Sequence, residues 1–199
     1  MKIRKLGFRI PLALTLCRAG LAPVVALLSI YYPSRYAFGS CLIFALLSDV
    51  FDGVIARRLN VASPTLRRLD SSADSLFYAG AAFAVWHLHP AIIREHFIAL
   101  VVLASTEIVR YAFDLIKFRR EASYHMWSSK VWGLLLFIGF FELLVLGASG
   151  LFIAIAIYAG IVADLEGLAI SLLLRHWQAD VPTIFHALRL RSATVRDAA

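Results

Sequence analysis

Charge is scarce in this chain, and cysteine is scarcer. Asp, Glu, Lys and Arg supply 17% of its 199 residues, where a soluble domain of this size carries about a quarter. The two cysteines, Cys17 and Cys41, lie in separate apolar runs with no partner at metal-ligand spacing. A disulfide between them is not expected, and neither is a thiolate metal site. Repeats and low-complexity tracts are also missing, so the chain reads as a single domain over residues 1–199. No small-x-small site closes the apolar run that follows the basic opening Met1-Lys-Ile-Arg-Lys5. Arg18 interrupts that run, and the bulky Leu16 precedes Cys17 where a lipidation signal needs a small residue. A retained first helix is therefore expected, and not a cleaved or lipidated leader.

What the chain has instead is apolar length. Hydrophobic residues make up 61% of it, and the mean hydropathy is +0.78. About 20 residues cross a bilayer as a helix, and six stretches are long enough: 12–32, 37–57, 70–89, 91–116, 131–148 and 150–174. The expected fold class is an all-α polytopic membrane protein with six transmembrane helices and short cytoplasmic interfacial helices. Of the 20 lysines and arginines, all but Arg35, Arg94 and Arg110 fall at the two termini, in alternate connections or, like Arg18 and Arg57, in the adjoining ends of the spans. By the positive-inside rule, both termini face the cytoplasm of a cell (inner) membrane. The net charge of +7 is thus a topology signal, and no nucleic-acid partner is expected. Beyond residue 176, Ile184, Phe185 and Leu188 recur at helical spacing beside Arg189 and Arg191. This tail, 176–199, reads as an interfacial helix on the cytoplasmic leaflet, and residues 1–9 read similarly.

Against this background four carboxylates stand out: Asp49, Asp52, Asp70 and Asp74. An uncompensated charge near a bilayer centre costs on the order of 3 kcal/mol on insertion scales, so the group calls for a counter-charge. At about 100° per residue, Asp49 and Asp52 share a helix face with Gly53 and Ala56. Asp70 and Asp74 share a face of the next helix. Two antiparallel helices with a short connection bring those faces together as an oxygen cage. Carboxylates without histidine or thiolate suit hard cations, Mg²⁺ or Mn²⁺. Arg57 stands where a metal-bound phosphate could be clamped. The bland alternative is that the acids only pair with Arg57, Arg58, Arg67 and Arg68.

The pattern Asp49-x2-Asp52-Gly53-x2-Ala56-Arg57 followed by Asp70-x3-Asp74 resembles the signature of the CDP-alcohol phosphatidyltransferase family. A glycine of that signature is replaced here by Leu66. Upstream, Ile10-Pro11-Leu-Ala-Leu14-Thr15-Leu-Cys-Arg18 with Pro23 is similar to the family's opening motif, with Leu12 in place of asparagine. Lys130 is what remains of a lysine-rich element of some members. The specific motifs occupy residues 10–74, and the helix layout extends the likeness over most of the chain.

The resemblance implies transfer of the phosphatidyl group of CDP-diacylglycerol to a polar alcohol, with release of CMP. Asp49, Asp52, Asp70 and Asp74 would hold the divalent cation, with Asp74 also the general base. Gly53, Ala56, Arg57, Thr15, Arg18 and Lys130 would contact substrate. Glycerol 3-phosphate is the favoured acceptor, as in the phosphatidylglycerophosphate synthase-like branch, and Arg68, Arg119, Arg120 and Lys130 could meet its phosphate. Membrane lipid and a second copy of the chain, as a homodimer, are the implied partners. An ion-coupled transporter using intramembrane carboxylates is the competing class, although inverted repeats and broken helices are lacking. On helix four, Glu107, Arg110 and Asp114 fall on one stripe and read as an internal ion-pair network. Glu142, Asp164 and Glu166 read as facing the bundle.

Overall fold

In a computed structural model, described here for residues 2–59, 61, 63–122 and 124–196, the chain is helical with short connections. In chain order the helices are α1 (Lys2–Tyr31), α2 (Arg35–Arg58), α3 (Pro64–Leu88), α4 (Pro90–Glu95), α5 (Phe97–Phe118), α6 (Trp127–Phe141), α7 (Leu151–Leu173) and α8 (Ile184–Arg196). A π-helical turn, Glu142–Leu146, continues α6. No strand occurs among the described residues.

Local chemistry explains most of the boundaries. Ser63 caps α3 by accepting from the Leu66 amide at 3.2 Å, and Pro64 takes the first helical position, where a missing N–H costs nothing. Pro90 stops α3 and opens α4. After the π-helical turn, Gly147 and Gly150 adopt φ of +63° and +82°, a backbone region that side chains other than glycine rarely enter. The Glu142 carboxylate closes this turn by accepting from the Gly150 amide at 3.2 Å. Two expectations shift. Residues 2–9 continue α1 without a break, despite Pro11 and Pro23 inside it, and do not form a separate interfacial helix. The stretch 91–116 divides into α4 and α5.

Among the described residues, four stretches are long and apolar enough to cross a membrane: Arg9–Tyr31, Arg35–Arg58, Trp127–Leu146 and Leu151–Leu173. The helices α3 and α5 fall outside that set. Arg67, Arg68, Asp70 and Asp74 crowd the first half of α3, and α5 carries Glu107, Arg110 and Asp114.

The chain packs as two compact units, Met1–Ile93 with Phe140–Gly150, and Arg94–Gly139 with Leu151–Ala199. In the first unit α1 packs along α2 and α3, and the π-helical turn joins them. Its core holds Val25, Phe38, Leu42, Phe77, Ala81, Val85 and Leu143. Gly80 allows α1 and α3 to touch backbone to backbone: a Cβ there would lie 2.6 Å from the Ala22 carbonyl oxygen.

In the second unit α5 packs on α7, and α7 on α8. Tyr124, Met126, Ile170, Leu174, Val181 and Ala187 form its apolar cluster, with Ile184 and Leu190 of α8 packed against it. The α8 helix thus buries one stripe and leaves Phe185 and Leu188 exposed. Residues 197–199 of the expected tail lie outside the described residues. The polar stripe of α5 finds its partners on α7 and the loop before α6. Arg110 Nε lies 3.0 Å from Asp164 Oδ1, and Thr106 donates to Asp164 Oδ2 at 3.3 Å. Ser171 donates to Asp114, which leaves the Tyr124 hydroxyl to donate to Ser171 Oγ at 2.8 Å. Burial pushes the Tyr124 phenol above its ordinary range, which keeps it a donor. Glu107 stays exposed, while Glu166 accepts from the Ile184 amide at 3.3 Å and ties α7 to α8. Since Asp114, Ser171 and Tyr124 are all buried, Ser171→Ala is expected to cost about 1–3 kcal/mol by stranding two polar groups. Thermal unfolding of the detergent-purified protein measures that loss.

Candidate functional site

The site is built in the first unit, around Arg18. This residue sits midway along α1 with its side chain 1% exposed. It points at the stretch where α2 ends and α3 begins. Each terminal guanidinium nitrogen bridges those two helices. Nη1 binds Asp49 Oδ1 of α2 at 2.7 Å and also Asp74 Oδ1 of α3. Nη2 binds Asp52 Oδ2 of α2 at 2.8 Å and also Asp70 Oδ1 of α3. One planar fork therefore gathers four carboxylates from two helices, a geometry that an ammonium could not reproduce.

The four acids are not equivalent. Asp52 is buried, its side chain 5% exposed, and takes a further contact from Thr15 Oγ1 at 3.2 Å. The Thr15 hydroxyl divides its single proton between that oxygen and the Pro11 carbonyl at 3.0 Å. Asp49, Asp70 and Asp74 keep 45%, 33% and 35% of their side chains exposed. These three each offer an oxygen within 4.8 Å of the others, a spacing that a small cation could bridge. The donor set is carboxylate only and partly open to incoming ligands. It fits Mg²⁺ or Mn²⁺, which keep some positions for water or substrate phosphate.

Thr15, Arg18, Asp49, Asp52, Asp70 and Asp74 thus converge, as the spacing of the sequence suggested for the acids. The other candidates are placed differently. Ala56 is buried on α2. Gly53 lies beside the exposed Arg57, whose Nη1 would be 3.4 Å from a Cβ at position 53. Lys130 belongs to the second unit, where its exposed ammonium stands 4.7 Å from the Trp127 ring centre. Leu66, at the position of the signature glycine, is buried.

Sequence reasoning makes a divalent cation the counter-charge, keeps pairing with Arg57, Arg58, Arg67 and Arg68 as the bland alternative, and gives Arg18 to substrate. The available signal was Arg18 itself, a lone cation inside an apolar run three residues after Thr15. Tyr78 also went unnoticed. It follows Asp74 by one helical turn and stacks on Phe140 with ring centres 5.9 Å apart.

The model of one protein family, described as CDP-alcohol phosphatidyltransferase, matches residues 8–174, from the second turn of α1 through the end of α7. No curated protein and no solved structure gives a match.

Proposed function

The chain belongs to the CDP-alcohol phosphatidyltransferase family, a family of transferases for substituted phosphate groups, and from that premise we propose that it moves the phosphatidyl group of CDP-diacylglycerol to glycerol 3-phosphate. Phosphatidyl transfer from a CDP-alcohol to an alcohol acceptor is the reaction type of the family. One observation carries the reading to this site: the four aspartates of the signature converge on one point in an otherwise apolar unit. An ion-coupled transporter is not supported, because these acids cluster at one place and trace no path along the helices.

In this reading Asp49, Asp70 and Asp74 hold the divalent cation, with Asp52 behind them. When bound, that cation polarises the phosphoryl oxygens and stabilises the departing CMP. The chain's own groups do the rest. Thr15 and Arg57 orient the nucleotide and its phosphates, and Gly53 and Ala56 leave room beside the α2 backbone. Asp74 accepts the proton of the acceptor hydroxyl as its oxygen bonds to the phosphorus bearing diacylglycerol. The bond from that phosphorus to CMP breaks, and CMP takes the electron pair.

Glycerol 3-phosphate is favoured because Arg68 in the first turns of α3, Arg119 and Arg120 after α5, and Lys130 in the first turn of α6 offer the cations that a phosphorylated acceptor needs. The four apolar stretches become six membrane crossings when α3 and α5 are added. Asp70 and Asp74 of α3 pair with Arg18, and Arg110 of α5 pairs with Asp164, which lowers the cost of placing them in lipid. The positive-inside arrangement puts both termini and the site at the cytoplasmic face of the cell membrane. In this reading both units serve one catalytic domain, which the family match over residues 8–174 supports. A homodimer and contact of α8 with membrane lipid complete the proposal.

The test is CMP release by the protein reconstituted in lipid, with CDP-diacylglycerol, Mg²⁺ or Mn²⁺, and a panel of alcohols. Release that needs both the cation and glycerol 3-phosphate is expected. Release with another alcohol alone would reassign the acceptor. The complete lack of cation-dependent release would remove the enzymatic assignment of this site.

A further inference from the structure

The proposed reaction uses the aspartates as ligands of a cation, yet the same carboxylates are held by Arg18. Asp49, Asp70 and Asp74, the three that could share a metal ion, each bond to one of its terminal nitrogens. Two features make this seat an imperfect one for a guanidinium. The first is charge: one positive group faces four carboxylates. The second is a missing bond. Arg18 Nε is buried and has no hydrogen-bond partner among the described residues, a cost that well-satisfied buried arginines avoid. Arg18 is thus strongly held but neither neutralises the cluster nor satisfies itself.

We propose that Arg18 is the exchangeable counter-ion of the aspartate cluster: it holds α2 and α3 together through their carboxylates and competes with the divalent cation for them. A bound Mg²⁺ keeps its oxygens at about 2.1 Å, so it draws together the acids that the guanidinium spreads around itself. The two cations repel each other at this range, so binding of one weakens the other. Phosphate oxygens that arrive with the cation are suitable acceptors for the freed N–H donors, including Nε. The inference rests on the metal assignment made above, but it predicts a sign for Arg18 that a plain substrate-binding or scaffolding role does not.

The experiment measures Mn²⁺ binding to the purified full chain in lipid nanodiscs without substrate, by the electron paramagnetic resonance of free Mn²⁺, together with thermal unfolding. Arg18→Gln removes the charge and keeps a planar polar group. It is expected to bind Mn²⁺ about tenfold tighter or more, because a repelling cation roughly 4 Å away has gone. Without divalent cation the variant should melt well below the wild type, and saturating Mn²⁺ should restore most of that difference. Arg18→Lys, which keeps the charge but cannot bridge four acids, should fall between the two in affinity.

Unchanged or weaker Mn²⁺ binding in Arg18→Gln would overturn the exchange. So would a loss of stability that saturating Mn²⁺ does not restore, including failure to fold in its presence. A wild-type protein that binds no Mn²⁺ would instead overturn the metal assignment itself, and CMP release tests that separately.

Discussion

Asp74→Asn is expected to reduce CMP release by about 10²–10⁴-fold, the usual contribution of a general base. The same change should leave binding of CDP-diacylglycerol within about threefold of the wild type, as expected when an interaction acts on the chemical step and not on the ground state. The geometry supports this separation. Asp74 is the last acid of the motif on α3, one turn beyond Asp70, with its side chain 35% exposed where an acceptor hydroxyl can approach. Asp52 is the contrasting case. Its carboxylate is buried between Arg18 and Thr15, so Asp52→Asn should weaken folding and cation binding together. Nucleotide binding and single-turnover CMP release, measured on both variants, distinguish them. If Asp74→Asn loses nucleotide binding as completely as turnover, Asp74 acts only through the cation and the base lies elsewhere.

The second large effect concerns a residue with no chemistry. Gly80→Val is expected to prevent stable folding, and Gly80→Ala to cost about 2 kcal/mol or more, in the range of overpacked cores. A Cβ at position 80 would stand 2.6 Å from the Ala22 carbonyl oxygen and 3.0 Å from the Ala22 Cα. Backbone atoms cannot turn aside as a side chain can, so α1 and α3 must separate. Close approach through small residues is how helices pack in lipid, where burial of apolar surface gives little drive. The separation would also carry Arg18 of α1 away from Asp70 and Asp74 of α3, so cation binding and CMP release should fall with stability. Gly20→Ala provides the control, because a Cβ there meets nothing within 4 Å. It should leave the melting temperature and activity close to wild type. A Gly80→Ala protein as stable as that control would show that the contact is not needed.

How far the chain could be read in advance varies from element to element. The i, i+3 and i, i+4 spacings put Asp49 with Asp52 and Asp70 with Asp74, because helical periodicity fixes which residues share a face. Apolar length and the signature likewise identified helices and family. The helix stripe of Glu107, Arg110 and Asp114 was legible too, but its internal pairing was not what formed. Arg110 reaches Asp164 and Asp114 receives Ser171, both on α7. Periodicity states which way a side chain faces and is silent about what another helix brings to meet it.

The sequence by itself determined the acidic motif, the apolar helices around it and the family to which they belong, because those depend on residue type and local spacing. Only the tertiary structure decided that the counter-charge is Arg18, more than thirty positions before the nearest two bonds it makes. It also decided that Gly80 sets the approach of the helix carrying that charge. The physical reason is the same in both cases. An ion pair or a backbone contact between helices depends on their separation in space, and helical spacing along one segment carries no information about that distance.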